Sequence, residues 1–211
     1  MLYSLARVLE IARAGMHNVI LFSKDENGIE VSNKDITILS KVTRKSFSDN
    51  INLNSLVVTQ VPPCLCGNLF VAKCYCTDLN IKYHFYNMPN TLINLSDMYV
   101  PLIKEDSIVD EEKVSLATEI QNKRYFQEDF KTNSQLTRNC FERYCKMEEG
   151  AKELLEEAKE MYTASDFEKI IRVSRTIADL DKREIIYRYD VAEALGYISC
   201  YVYLRGRGMN V

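Results

Sequence analysis

Apolar residues recur at two intervals along this chain, and the change of interval divides it. Leu2, Leu5, Ala6, Leu9 and Ala12 stand three or four apart, which predicts a helix over residues 2–14 with Gly15 as its stop. The unbroken apolar run Val19 to Phe22 then reads as a strand. Lys24 to Gly28 reads as a polar turn and Ile29 to Val31 as a short strand. Asn33 can cap a short helix carrying Ile36, Leu39 and Val42, although the β-branched content there allows a strand instead. Residues 46–54, rich in Ser, Asn and Asp, look like a linker, and Leu56 to Val61 is a buried strand stopped by Pro62 and Pro63. Residues 64–107 show no sustained period and are expected to be irregular or mixed.

From Asp110 the helical interval takes over. One helix is expected from Asp110 to Asp129, and a second, capped by Ser134 or Thr137, runs to about Lys146. A third spans Glu148 to Met161 with Leu154, Leu155 and Ala158 inward. Ser165 with Glu168 has the spacing of a capping box and opens a helix burying Phe167, Ile170, Ile171, Ser174, Ile177 and Ala178. A last helix covers about Asp190 to Tyr201, and Arg205 to Val211 is a loose tail. The fold class is therefore α+β and mainly helical. The expected units are a small α/β unit over 1–50, a cysteine-rich unit over 55–107 and a helical bundle over 108–204.

Composition narrows the function classes. Lys plus Arg number 27 against 30 Asp plus Glu, so the net charge of −3 supplies no bulk attraction to nucleic acid, and direct nucleic-acid binding is not expected. The basic clusters, Lys41 to Lys45 and Arg205 to Gly208, are short and read as solvated surface. No apolar stretch approaches the roughly 20 residues that cross a bilayer. Seven cysteines, an odd number, and a start that does not read as a signal peptide point to a reducing cytoplasm rather than a disulfide framework.

Lys169 to Leu195, reading KIIRVSRTIADLDKREIIYRYDVAEAL, closely resembles the C-terminal lid of the magnesium chelatase-like AAA+ family of the ComM/YifB competence type. In that family a helix with an R-T-I-A-D-L core precedes an A-E-A helix. Thr132 to Thr137 (TNSQLT) and Tyr144 to Ala158 (YCKMEEGAKELLEEA) are similar to the preceding lid helices, in the same order. Pro63 to Gly67 (PCLCG), followed by Cys74-Tyr75-Cys76, resembles the family's N-P-C-P-C-G element and later cysteine pair. Ala12 to Val31 is similar to the end of a Lon-type domain, so residues 1–50 are expected to be a Lon-like remnant and 55–107 a degenerate AAA+ core.

The ATP machinery of that family is not legible here. None of the seven glycines precedes Lys-Ser or Lys-Thr as a P-loop requires, no clear Walker B follows Val19 to Phe22, and Pro62 replaces the asparagine of the cysteine element. In Pro89 to Pro101 (PNTLINLSDMYVP), similar to P-L-L-D-R-I-D, Ile93 falls on the arginine. ATP is not expected as a cofactor, nor ATPase activity.

Cys64, Cys66, Cys74 and Cys76 form C-x-C-x7-C-x-C, four thiolates able to close round zinc; the alternative is four reduced thiols in a loop. Cys140, Cys145 and Cys200 are read as packing residues. By the resemblance Arg175 corresponds to a lid arginine that reaches nucleotide phosphates. The plainer reading is an i,i+4 pair with Asp179. Arg172 is read as solvated and the lone His17 and His84 as structural, with a weaker metal-binding reading for His84. The resemblance implies a non-catalytic interaction or regulatory module acting on a AAA+ partner such as a full-length relative. The other readings are a lid arginine supplied in trans to ATP hydrolysis in a DNA-processing AAA+ assembly, or a decayed gene product.

Overall fold

The computed structural model describes residues 3–24, 36–40, 56–104 and 108–206. Among these residues five strands form one all-parallel sheet: β1 (Tyr3–Ser4), β2 (Val19–Phe22), β3 (Ile36–Ser40), β4 (Leu56–Val61) and β5 (Met98–Lys104). Their order across the sheet is β1-β5-β2-β4-β3. β2 lies in the middle, with Val19 opposite Val58 on one side and Met98 on the other. All four of its residues are buried, as expected of a central parallel strand covered on both faces. The expected units 1–50 and 55–107 thus contribute strands to the same sheet.

The segment offered as either helix or strand at Ile36 is strand β3, in register with β4 from Ile36 opposite Leu56 to Ser40 opposite Gln60. The expected turn over 25–28, the strand at Ile29 to Val31, the cap at Asn33, the cluster Lys41 to Lys45 and the linker 46–54 lie outside the described residues, as do 207–211.

Helix α1 (Leu5–Gly15) precedes β2. It does not stop on a left-handed glycine: Met16 takes that conformation, with φ of 57°. Gly15 is needed for a different reason, because a Cβ there would stand 2.5 Å from His17 Cδ2 and closer still to His17 Nε2 and Thr176 Oγ1. Between β4 and β5 the chain makes an irregular cysteine loop, then α2 (Asp78–Tyr86), capped by the Thr77 side chain, and α3 (Asn90–Leu95).

The helical part begins with α4 (Glu111–Arg124), shorter than the pattern predicts. The Asp110 side chain caps it by accepting from Lys113 N. The helix expected to run to Lys146 is instead two tight helical turns at Asn133–Gln135 and Arg138–Cys140 followed by α5 (Phe141–Tyr144). Next come α6 (Glu149–Glu157), α7 (Ala164–Leu180) and α8 (Arg188–Gly206). The cap of α7 is Thr163 rather than Ser165; its side chain and that of Asp166 form the capping box. α8 also outruns its expected end, and Arg205, assigned to a loose tail, donates to Asp166 Oδ2 at 2.6 Å.

One apolar core runs from Leu5 on α1 through β2, β4 and β5 to Leu204 on α8. α1 packs on α4 and α7, and α8 on β5, so helices and sheet share that core. Two ion pairs tie α1 to the helical part. Arg7 holds Glu193 on α8 with bonds of 2.9 and 3.1 Å, and Arg13 holds Glu111 on α4 through two bonds of 2.6 Å.

Candidate functional site

The cysteine loop leaves the carboxyl end of β4, the end of a parallel sheet at which ligands gather in α/β folds. Ser23, just past β2, donates its N–H to Val61 O at 2.9 Å, so the loop starts beside the end of the central strand. Gly67 turns it with φ of 73°, and a Cβ there would meet Lys24 Cγ at 2.8 Å. This turn folds Cys64 and Cys66 back towards Cys74 and Cys76.

The ligand atoms of all four cysteines lie within 4.8 Å of one another. Cys64 Sγ is 3.4 Å from Cys66 Sγ and 3.7 Å from Cys74 Sγ, and Cys66 to Cys74 is 3.6 Å. A regular tetrahedron with metal–sulfur bonds of about 2.3 Å has edges of about 3.8 Å. A disulfide would need about 2.0 Å. The spacing therefore fits a four-thiolate metal site and not a disulfide pair. Backbone amides support the sulfurs: Leu69 N–H donates to Cys64 Sγ and Cys76 N–H to Cys74 Sγ, each at 3.4 Å.

The thiols titrate as a set. Backbone N–H groups of Tyr75 and Asn68, with the Cys64 thiol, bring Cys66 down to about 6, whereas desolvation among its neighbours pushes Cys74 up to about 12. Four thiols this close cannot all ionise without a cation to offset them, which is the service a bound divalent metal supplies. Among the described residues this is the one cluster with such a donor set. His84 is outside it: its Nε2 donates to Pro62 O at 2.7 Å, and burial lowers its pKa.

Arg175 is turned away from solvent. It is 0% exposed, and its guanidinium donates to the carbonyls of Glu184, at 2.6 Å, and Arg183. It also meets Asp179 Oδ1 at 3.1 Å, the i,i+4 pair of the plainer reading. These bonds brace the connection between α7 and α8 and leave no surface with which Arg175 could touch a nucleotide. Asp179 is equally occupied, receiving Arg124 through bonds of 2.7 and 2.5 Å and Asn133 Nδ2 at 2.9 Å. All six residues Arg175 to Leu180 are buried.

Sequence reasoning missed the partners of His17. Its Nδ1 lies 2.8 Å from Asp97 Oδ2 and its Nε2 2.7 Å from Thr176 Oγ1, both within the core. With Asp97 ionised the Nδ1 nitrogen carries the proton and donates it, an assignment made from the partners. Burial by itself raises the Asp97 carboxyl, but the His17 bond and charge, with Arg172 and Lys169 beyond, hold it below the usual carboxylate range. The order hydroxyl, imidazole, carboxylate is that of a hydrolytic triad. Thr176 Oγ1 is fully buried, however, and already receives Asn133 Nδ2 at 2.9 Å, so no substrate can approach it. The set is a structural cross-link between α7 and the turns that lead into β2 and β5.

Arg172, expected in solvent, joins this network. It donates to Ser134 O at 3.1 Å and Glu168 O at 3.2 Å and lies 3.7 Å from Asp97. Lys169 Nζ is also inside, donating to Ser96 O at 2.6 Å and Tyr99 Oη at 2.9 Å. These partners are 70 or more residues away, a separation at which sequence spacing carries no signal. Cys145 and Cys200 are buried and Cys140 half-buried, in keeping with packing roles.

Residues 104–198 match the family described as magnesium chelatase, subunit ChlI C-terminal. Among curated proteins none matches the chain. Among solved structures, a candidate ATPase from Cytophaga hutchinsonii is similar over 90% of this chain and 78% of that one, at 13% identity and a TM-score of 0.40, a likeness too distant to carry an argument. No described helix is long and apolar enough to cross a membrane.

Proposed function

We propose, from the match of residues 104–198 to the magnesium chelatase ChlI C-terminal family, that this chain is a member of the magnesium chelatase-like AAA+ family and a non-catalytic interaction module of a AAA+ assembly. Its partner is a full-length relative carrying the nucleotide site. The observation behind this reading is the engagement of Arg175, whose guanidinium is held by Arg183, Glu184 and Asp179 of its own chain. An arginine so held does not reach phosphates in trans, which disfavours the alternative of a catalytic lid. The sequence also contains no phosphate-cradling G-x-x-x-x-G-K-[ST]. The ComM/YifB type remains part of this proposal, on the cysteine element and the lid motifs together.

We further assign the four-cysteine site to zinc. The donor set is all thiolate, the spacing is tetrahedral, and such closed sites are structural. The ion would staple a loop that contains no regular element between Val61 and Asp78 and would fix the start of α2 directly after Cys76.

The test is reconstitution of the chain with an intact magnesium chelatase-like ATPase. The expected result is association with altered ATPase turnover of the partner and no turnover by the chain alone. ATP hydrolysis by the purified chain, or a partner whose activity falls selectively with Arg175→Ala while the variant keeps its stability, would overturn the reading.

A further inference from the structure

Outside the cysteine site and the buried network, cationic side chains of the described residues also converge on a cavity. It has a volume of about 320 Å³, opens at the end of the helical part and is lined by Ile120, Arg124, Arg143, Tyr144, Lys146 and Glu184. Its cations come from three separate stretches: the last turn of α4, α5, and the residue two before Glu148, where the backbone pairs with Ile186.

The charges around this cavity do not cancel. Arg124 shares the single carboxylate of Asp179 with Arg175, so two guanidiniums stand against one anion. Arg143 reaches Glu128 at 2.8 Å, but its side chain is 67% exposed and that partner screens it weakly. Lys146 is exposed, and among the described residues its ammonium makes no hydrogen bond or ion pair. The one carboxylate on the lining is Glu184, whose backbone carbonyl is already taken by Arg175.

The geometry points to an anion subsite for a small phosphate-bearing ligand, held by Lys146 and Arg143 beside the positive charge of Arg124. The Arg143 guanidinium, only partly taken by Glu128, offers planar donors and the lysine a mobile point charge, while Arg124, whose fork is spent on Asp179, adds positive charge rather than donors. The Tyr144 ring, with the Arg143 guanidinium 4.9 Å from its centroid, and Ile120 supply an apolar wall for the body of the ligand. The site is separate from Arg175, which stays behind Arg124 and donates no bond to the cavity. It also goes beyond the interaction-module reading and stands or falls independently of any AAA+ partner.

Calorimetric titration of the full chain with inorganic pyrophosphate tests it. Saturable binding is expected, weakening as salt is raised. Lys146→Glu and Arg143→Glu should each weaken it by about tenfold or more, since each replaces an attraction with a repulsion. Glu184→Gln should tighten it, an arm that does not depend on the reversed-charge variants folding well. Lys113→Glu, in a separate cavity lined by Asp110 and Asp181, should leave it unchanged. Absence of saturable binding, or binding that survives both charge reversals, or an equal loss in Lys113→Glu, would overturn the proposal.

Discussion

Replacing Gly15 with alanine tests the cross-link between sheet and helices at its tightest point. In an ordinary helix the change stabilises by about 1 kcal/mol, because alanine is the better helix former. Gly15 has no left-handed φ to protect, so backbone strain does not enter. The new methyl would stand 2.5 Å from His17 Cδ2. Unstrained carbon–carbon contact is about 3.5–4.0 Å, so the imidazole or α7 must move by about 1 Å. Overpacking of this kind costs about 1–3 kcal/mol. Parting His17 from Thr176 leaves a buried polar group unmatched, at about 1–3 kcal/mol more. The steric and polar costs outweigh the helix gain, and a net loss of about 2–4 kcal/mol is expected. At about 2–4 °C per kcal/mol for a chain of this size, the melting temperature should fall by about 10 °C. Gly150→Ala is the internal control: it also sits within a helix, its nearest neighbouring atom is 3.7 Å from the added methyl, and it should stabilise by about 0.5–1 kcal/mol. Urea denaturation of both variants gives the comparison. If Gly15→Ala proves as stable as the parent, the close approach of α1 to α7 described above is wrong.

Metal analysis of the protein should find about one zinc per chain. Serine at Cys64 and Cys74 should abolish it, with helical circular dichroism largely kept, whereas a metal-free protein with four freely reactive thiols would remove the zinc assignment. Asp97 has a lowered folded pKa, so its stabilisation is complete above the unfolded value of about 3.9 and is lost as pH falls through the folded value. Asp97→Asn should therefore be less stable than the parent at neutral pH and flatter in its stability profile below about pH 4; superimposable acid limbs would contradict the assignment. Arg175→Met should cost about 3 kcal/mol, because it strands two backbone carbonyls and unbalances Asp179. A thermal melt unchanged from the parent would show that the arginine is not the brace described.

The helical half was readable where a helix buries a periodic stripe: of the positions expected inside on α7, Ile170, Ser174, Ile177 and Ala178 are buried and Phe167 and Ile171 half-buried, whereas α5 buries none of its residues. The four cysteines were readable because paired ligands close in sequence become neighbours through local turns. Errors fell where two local signals competed or where a distant partner decided. Ser165 and Glu168 have capping-box spacing, yet Thr163 with Asp166 caps α7 two residues earlier. Ile36 to Ser40 is β-branched enough to be strand and becomes one because β4 offers an edge to pair with. Arg172 and Lys169 look like solvated charges on a helix, and only Asp97, Ser96 and Tyr99, brought in by β5, make them interior residues. The motif R-T-I-A-D-L invites a phosphate-binding reading of its arginine, whereas its residues are spent on interior contacts.

The network around Asp97 bears on where this protein can be divided. The stretch that matches the magnesium chelatase ChlI C-terminal family begins at residue 104, the last of β5. Residues that complete its interior lie upstream of that point: His17 for Thr176, Asp97 for Arg172, Ser96 and Tyr99 for Lys169, Arg7 for Glu193. The matched stretch is therefore smaller than what must melt together. A recombinant piece trimmed to the boundary of that match would present a lysine, an arginine and a threonine stripped of their counterparts on what is now an inner face. Insolubility of such a piece would reflect the place of the cut rather than a weak fold, and the shortest self-sufficient segment has to reach back to α1.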